Sequence, residues 1–333
     1  MRRRSVLNSN WTPTAQRLIN KRQWILGYYS EDYEGDYRAL ETIRQQGSHL
    51  DVYADFAYQL QPDGHFIGQI NKQVLQAAIA QGTAPLILFH NFNGKIFDPL
   101  PLRSVLSSTA SQRNCIHHMI NLLPQTIAGV HVDFEGVEAS YRIPFLSFLE
   151  SLKATLHDRG LLLTIAIPAK LSEREAPGYD FAGIGRLCDS ITLMTYDEHY
   201  SGGSPGPISS LPWMTQALDY AIRYIPNENL LLGIPAYGYD WSNNEPTGLV
   251  PMRDIPELVS QTNARVLWSD QAVEPYFYYW RGRARHTVWY ENELSAKIRL
   301  GFVKSYRLRG IAIWRLGYET TRFWQEITLK LKR

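Results

Sequence analysis

Eight short runs of apolar, β-branched and aromatic residues punctuate this chain, and their spacing most narrows the folds open to it. They are WILGYYS from Trp24, HLDVYADFAY from His49, PLILFHNF from Pro85, IAGVHVDFEG from Ile127, LLLTIAIPA from Leu161, DSITLMTYDE from Asp189, NLLLGIPAYGYD from Asn229 and GIAIWRLGYE from Gly310. Their starts lie about 25, 36, 42, 34, 28, 40 and 81 residues apart, and all but the last interval suit a strand plus a crossover helix. The segments between them, such as DYRALETIRQQ, NKQVLQAAIAQ and RIPFLSFLESLKATLHDRG, place apolar residues three and four apart, as a helix requires. Alternation of this kind implies a parallel sheet, and eight repeats favour closure into a (β/α)8 TIM barrel. No G-x-G-x-x-G follows the first run, which removes the main reason to prefer a dinucleotide-binding sheet.

The seventh interval is too long by about forty residues for a strand and a crossover. Its excess, 241–291, contains PYFYYWRGRARHTVWY, two aromatic strand-like runs around a Gly-Arg turn, which predict a small β-hairpin inserted after the seventh strand. The expected organisation is a polar extension over 1–23 followed by one barrel domain over 24–333. A hydrophobic content of 44% supplies a core for a domain of that size. The formal charge is +2, with no basic run beyond Arg2, Arg3 and Arg4, so a nucleic-acid partner is not expected. Apolar runs stay strand-length, which predicts no membrane partner, and Met1 to Gln16 shows no apolar core of a signal peptide. Cys115 and Cys188 stand about seventy residues apart without a C-x-x-C. That spacing excludes a cysteine zinc site and favours two buried thiols over a bridge.

The fourth run carries the chemistry. Strand side chains alternate faces, so Val130, Val132 and Phe134 point toward the helices while His131, Asp133 and Glu135 point into the barrel. Three polar groups inside one strand are costly unless partnered or solvated in a site. A salt-bridged inner layer needs Arg or Lys on neighbouring inward positions, which are few. Neighbouring carboxyls repel, so one tends to hold a proton near neutral pH, giving an acid beside an anionic helper. Glu135, nearest the rim, is the expected acid and Asp133 its partner. A metal set of His131, Asp133 and Glu135 is the rival reading, disfavoured because one strand rarely presents three ligands facially. On the sixth strand Thr192, Met194 and Tyr196 share a face, with Asp197 just beyond. Trp314 at the top of the eighth offers a flat surface for a sugar ring, and Tyr237 flanks the mouth.

These residues resemble glycoside hydrolase family 18, the chitinase-like barrels whose fourth strand reads D-G-x-D-x-D-x-E; here the stretch is Ala128-Gly129-Val130-His131-Val132-Asp133-Phe134-Glu135. GVHVDFEGV, LMTYDEHYSGGSPGPISSLPWM and LLLGIPAYGYDW are most similar to the bacterial spore-cortex and spore-germination branch, and the likeness runs from Trp24 to about Trp324. It implies a substrate-assisted retaining glycosidase without cofactor, in which the substrate's acetamido oxygen is the nucleophile. On that pattern Glu135 protonates the glycosidic oxygen and Asp133 holds the acetamido N–H. Tyr196 bonds the acetamido oxygen, Trp314 floors the cleaved sugar, and Asp197 binds a sugar hydroxyl. Met194, Tyr237 and His131 complete the expected binding set. The implied partner is an N-acetylglucosamine-containing glycan: spore-cortex peptidoglycan first, chitin oligomers second. A non-hydrolysing lectin and a spore-coat component, with spore-coat proteins as partners, are the alternatives. The spore coat or cortex and the cytoplasm of the producing cell are the expected locations. Ala128 and His131 depart from the pattern, and a protonated His131 is expected to lower the Asp133 pKa.

Overall fold

The computed structural model describes residues 11–331. The eight runs form parallel strands: β1 (Trp24–Tyr29), β2 (Val52–Leu60), β3 (Ala84–His90), β4 (Gly129–Asp133), β5 (Leu162–Pro168), β6 (Ser190–Met194), β7 (Leu230–Pro235) and β8 (Gly310–Trp314). Each pairs with the next, and β1 pairs with both β2 and β8, so the sheet closes on itself. A short strand, Phe66–Gly68, adds antiparallel to β2. Helices follow the strands on the outside, and short polar side chains start them. Asn71, Asp98, Ser108, Asp180 and Ser210 each accept a first-turn backbone N–H, satisfying donors that the helix cannot.

Alternation along β4 divides the core as expected. Val130, Val132 and Phe134 pack outward with Phe145, Phe148 and Leu149 of the helix Arg142–His157. The barrel interior is a separate apolar cluster that includes Leu26, Val52, Leu86, Leu88 and Leu162. Ala128 belongs to that inner cluster and is fully buried. A carboxylate there would be desolvated among aliphatic side chains, so the first departure from the family pattern suits its surroundings. Residues 13–20, expected within a polar extension, instead form a helix that brings Ala15 and Leu18 into the inner cluster. The Trp24 indole N–H donates to the Leu18 carbonyl at 2.9 Å and fixes the helix there. Residues 1–10, with the basic run Arg2–Arg4, lie outside the described residues.

The insertion starts earlier and is larger than the expected hairpin. The hairpin exists, Glu274–Arg281 paired with Ala284–Tyr290. It forms part of a five-stranded antiparallel sheet with Gly248–Pro251, Tyr237–Ser242 and Leu267–Ser269. The run from Asn229 is therefore two strands, turning at Ala236 from the barrel into the added sheet. Ile255, from the helix Ile255–Thr262, packs on Phe277, Tyr279, Val288 and Tyr290, giving the insertion a core of its own. Its anchor is ionic. Arg299, in the helix Glu293–Ser305, is fully buried and donates to Glu274 at 2.8 Å and to Glu291 at 3.2 Å. Glu274 in turn accepts the backbone N–H groups of Ile208 and Ser209 at 2.8 and 2.7 Å, so one buried cluster ties the insertion to the loop after β6. Cys115 and Cys188 are free and buried, and no described helix is long and apolar enough to cross a membrane.

Candidate active site

At the C-terminal mouth of the barrel, Asp133 and Glu135 open into a cavity of about 310 Å³ lined also by Tyr28, Met194, Tyr196, Asp197 and Trp314. Neither carboxyl has an Arg or Lys partner among the described residues, so the salt-bridged inner layer is not what the strand builds. Asp133 Oδ1 is buried without a hydrogen-bond partner among the described residues. Burial pushes the Asp133 carboxyl up to about 7. Burial also holds Glu135 well above the usual range, with the negative charges of Asp133 and Asp197 adding to the effect. The pair therefore keeps a proton near neutral pH, the state that can donate to a leaving oxygen. Among the described residues no three His, Cys, Asp or Glu side chains converge as a metal set.

His131 lies beneath the cavity, 1% exposed. Its Nδ1 is 2.8 Å from Thr164 Oγ1, and that hydroxyl donates to the Val130 carbonyl at 3.0 Å. Thr164 must then accept from His131, which puts the imidazole proton on Nδ1 and leaves Nε2 to accept from Tyr28 O–H at 3.0 Å. Burial pushes the imidazole down to about 3. His131 is neutral, so the condition under which it would lower the Asp133 pKa, a protonated imidazole, is not met, and desolvation raises the carboxyl instead. The second departure from the family pattern replaces a titratable acid by a neutral link holding Tyr28 against the pocket.

Asp197 sits at φ +60° in a left-handed turn after β6, which turns its carboxyl back over the mouth. Tyr237 and Tyr239 donate to its Oδ1, the latter at 3.2 Å. Tyr237 thus acts behind Asp197 rather than lining the cavity, and Tyr239, from the added sheet, is a partner that the sequence reading missed. Trp213, in the first turn of the helix Leu211–Ala221, and Phe97 also line the cavity and were missed. An aromatic residue opening a helix reads as packing until the fold turns it toward the mouth. The hairpin aromatics do not line the cavity. Tyr276 stacks on Trp289 with ring centroids 4.5 Å apart, and Trp289 borders a neighbouring hollow next to Trp213. Trp314 packs against Tyr28 and Phe56, at 5.2 and 5.7 Å between centroids.

Asn91 is the residue most thoroughly hidden from sequence reasoning, because an Asn just after a strand reads as a turn. It is 1% exposed, and its side chain completes the backbone pairing that β4 lacks beyond Asp133. Asn91 Oδ1 accepts the Glu135 N–H at 2.8 Å, while Nδ2 donates to the Glu135 carbonyl at 2.8 Å and to the Asp98 carbonyl at 2.9 Å. Tyr179 O–H donates to the Phe134 carbonyl at 2.7 Å, one peptide earlier. Asn91→Ala removes three hydrogen bonds and frees the Glu135 peptide. It is expected to lower kcat about 10–100-fold with KM changed far less, because a displaced acid costs the transition state more than binding. Steady-state kinetics on any cleaved glycan checks this, and an unchanged kcat would show that the clamp does not position Glu135.

The model of glycosyl hydrolases family 18 matches residues 77–319. The uncharacterized glycosylase YvbX of Bacillus subtilis is 25% identical over 303 residues, covering 88% of this chain and 88% of its own. The cortical fragment-lytic enzyme of the same organism is 25% identical over 295 residues, covering 85% of this chain and 68% of its own. A chitinase from Chromobacterium violaceum shares the fold with a TM-score of 0.84 at 27% identity, over 93% of this chain and 99% of that one. A family match spanning most of the barrel, joined to a shared architecture from end to end, places this chain in glycoside hydrolase family 18 as a glycosidase.

Proposed function

We propose that the chain cleaves β-1,4 bonds after N-acetylglucosamine by substrate-assisted retaining catalysis, with spore-cortex peptidoglycan as its polymer. The carrying observation is the pair of buried carboxyls, Asp133 and Glu135, sharing one small cavity without a cationic partner among the described residues. Glu135, raised and protonated, donates to the glycosidic oxygen as the C–O bond breaks. The substrate's own acetamido oxygen attacks the anomeric carbon, so neither carboxyl need form a bond to it. Asp133 accepts the acetamido N–H and balances the positive charge that grows on the oxazolinium ring. Tyr196 O–H donates to the acetamido group, and Asp197, held by Tyr237 and Tyr239, takes a sugar hydroxyl. The resulting Glu135 carboxylate then draws a proton from the water that opens the ring, restoring the acid. The Trp314 indole offers a face to the sugar ring, and Met194 fills the wall beside it.

The cortex as substrate is supported by the named activity of the cortical fragment-lytic relative, and chitin oligomers by the chitinase that shares the fold along its whole length. Hydrolysis of purified cortex glycan and of N-acetylglucosamine oligomers, compared at equal sugar concentration, separates the two. Higher kcat/KM on cortex glycan supports the proposal, and turnover of the oligomers alone assigns the chain to chitin. An enzyme inert on both that still binds sugar is a lectin.

The pH profile follows from the same pair. The competent state carries one proton, on Glu135. Falling pH adds a second to Asp133, whose carboxyl is already raised, and rising pH strips Glu135. The kcat/KM profile on the cleaved glycan is expected to be a bell whose acid limb lies well above the ordinary carboxylate range of about 4. An acid limb at that ordinary value would show that Asp133 is not the buried anion described.

A further inference from the structure

A second cavity, of about 780 Å³, lies on the β1–β3 side of the mouth, next to the catalytic one. Phe56 lines it and packs edge-on against Trp314 of the catalytic pocket. Its polar lining holds two carboxyls, Asp55 and Glu31, and one lysine, Lys72. Asp55, on β2, lines the cavity while only 2% exposed, and its Oδ2 has no hydrogen-bond partner among the described residues. Glu31 accepts from Tyr29 O–H and from the Asn71 amide at 3.0 Å, both neutral donors. No Lys, Arg or protonated His pairs with either carboxyl among the described residues. Lys72 lines the cavity but is exposed and forms no ion pair among the described residues, and His90 is kept neutral by burial, with its Nδ1 accepting from Phe92 N–H at 3.1 Å. Phe56, one face of which is stacked on His90 at 3.8 Å between centroids, and Phe92 add aromatic rings to the lining.

Two carboxyls that no cation pairs with among the described residues, set beside aromatic rings, match the needs of one ligand chemistry. Burial, with the Glu31 charge adding to it, pushes the Asp55 carboxyl up to about 8. A primary ammonium brings the positive charge that favours the ionised form of such a carboxyl, donates to both acids and is attracted to aromatic rings. A neutral acetamide brings no charge, so it leaves the Asp55 carboxyl protonated and gains nothing from Glu31 beyond one hydrogen bond. We propose that this second cavity binds a primary ammonium group carried by the glycan next to the bond that is cut. The inference rests on the glycosidase reading and goes beyond it by assigning charge selectivity to a site away from Glu135. The ammonium has two sources on a bacterial glycan, an amino sugar lacking its acetyl group or the side-chain amine of a diamino acid in a stem peptide.

The test uses N-acetylglucosamine tetramers carrying one glucosamine at each defined position, and muropeptides with the diamino-acid amine free or acetylated. A free-amine substrate is expected to show a kcat/KM about tenfold above its acetylated counterpart, as befits a partly desolvated ammonium. Preference among the tetramers assigns the amine to the sugar, and preference among the muropeptides assigns it to the peptide. In Asp55→Asn the ratio is expected to fall to about one, and exposed Glu31→Gln, which disturbs no core packing, is expected to reduce it as well. A ratio of one or less in the wild type for both substrate sets overturns the proposal, as does a preference that survives both substitutions. Calorimetric binding of the same ligands to Glu135→Gln repeats the comparison without turnover. A chain that hydrolyses nothing would thus overturn the hydrolase reading while amine selectivity is still decided.

Discussion

Glu135→Gln is expected to lower kcat by about 10²–10⁴-fold on the cleaved glycan while sugar binding is retained, the range that general acid catalysis supplies. Gln keeps the shape of the side chain and an N–H donor but has no proton to give to the leaving oxygen. Asn91 binds the residue 135 backbone, so the substituted side chain stays where Glu135 was. The same change carries a stability signature of known sign. Burial raises the Glu135 carboxyl, so between the unfolded and folded pKa values the native state binds more protons than the unfolded chain. Wild-type stability therefore falls as pH rises through that window. Glu135→Gln removes the group, and its melting temperature is expected to gain on wild type at pH 8 and to match it near pH 4. Loss of turnover without that pH-dependent gain would mean that Glu135 is not desolvated. Retained turnover would remove it as the acid.

Much of this site was legible because strand alternation is a local rule. Once the run at Ile127 is a barrel strand, Asp133 and Glu135 must share the inner face, and the wall that keeps water from them is made by the same strands. Tyr196, Asp197 and Trp314 sit at the C-terminal ends of β6 and β8, where barrel geometry gathers side chains distant in sequence. What stayed hidden depends on loops. Asn91 completes a strand with its side chain, an interaction without periodicity. Tyr239 reaches Asp197 only because the chain turns at Ala236 and leaves the barrel, a break masked by the continuous apolar run from Asn229. Two of the added strands are three and four residues long, too short to show alternation. The charge of His131 could not be read either, since an imidazole's state is set by burial and by the Thr164 and Tyr28 hydroxyls, neither of which is adjacent to it in sequence.

The buried cluster under the insertion gives the second large effect. Arg299→Ala is expected to destabilise the protein by about 3–5 kcal/mol at pH 8, because it leaves two carboxyls buried without their cation rather than merely deleting a favourable contact. Glu274 and Glu291 are already pushed up to about 8 and 7 by burial, with Arg299 acting in the opposite direction. Without Arg299 both carboxyls move higher still and are neutral at pH 5, where the cost is expected to be smaller. Denaturant midpoints of wild type and variant at the two pH values measure this difference. A destabilisation equal at both would show that lost packing, not orphaned charge, is responsible. The cluster also reaches the chemistry. Glu274 holds the Ile208 and Ser209 backbone, Ser209 Oγ donates to the Thr195 carbonyl at 2.6 Å, and Thr195 directly precedes Tyr196 and Asp197. At a temperature where the variant is fully folded, kcat/KM is therefore expected to fall, because the loop that presents Tyr196 and Asp197 has lost its buried anchor.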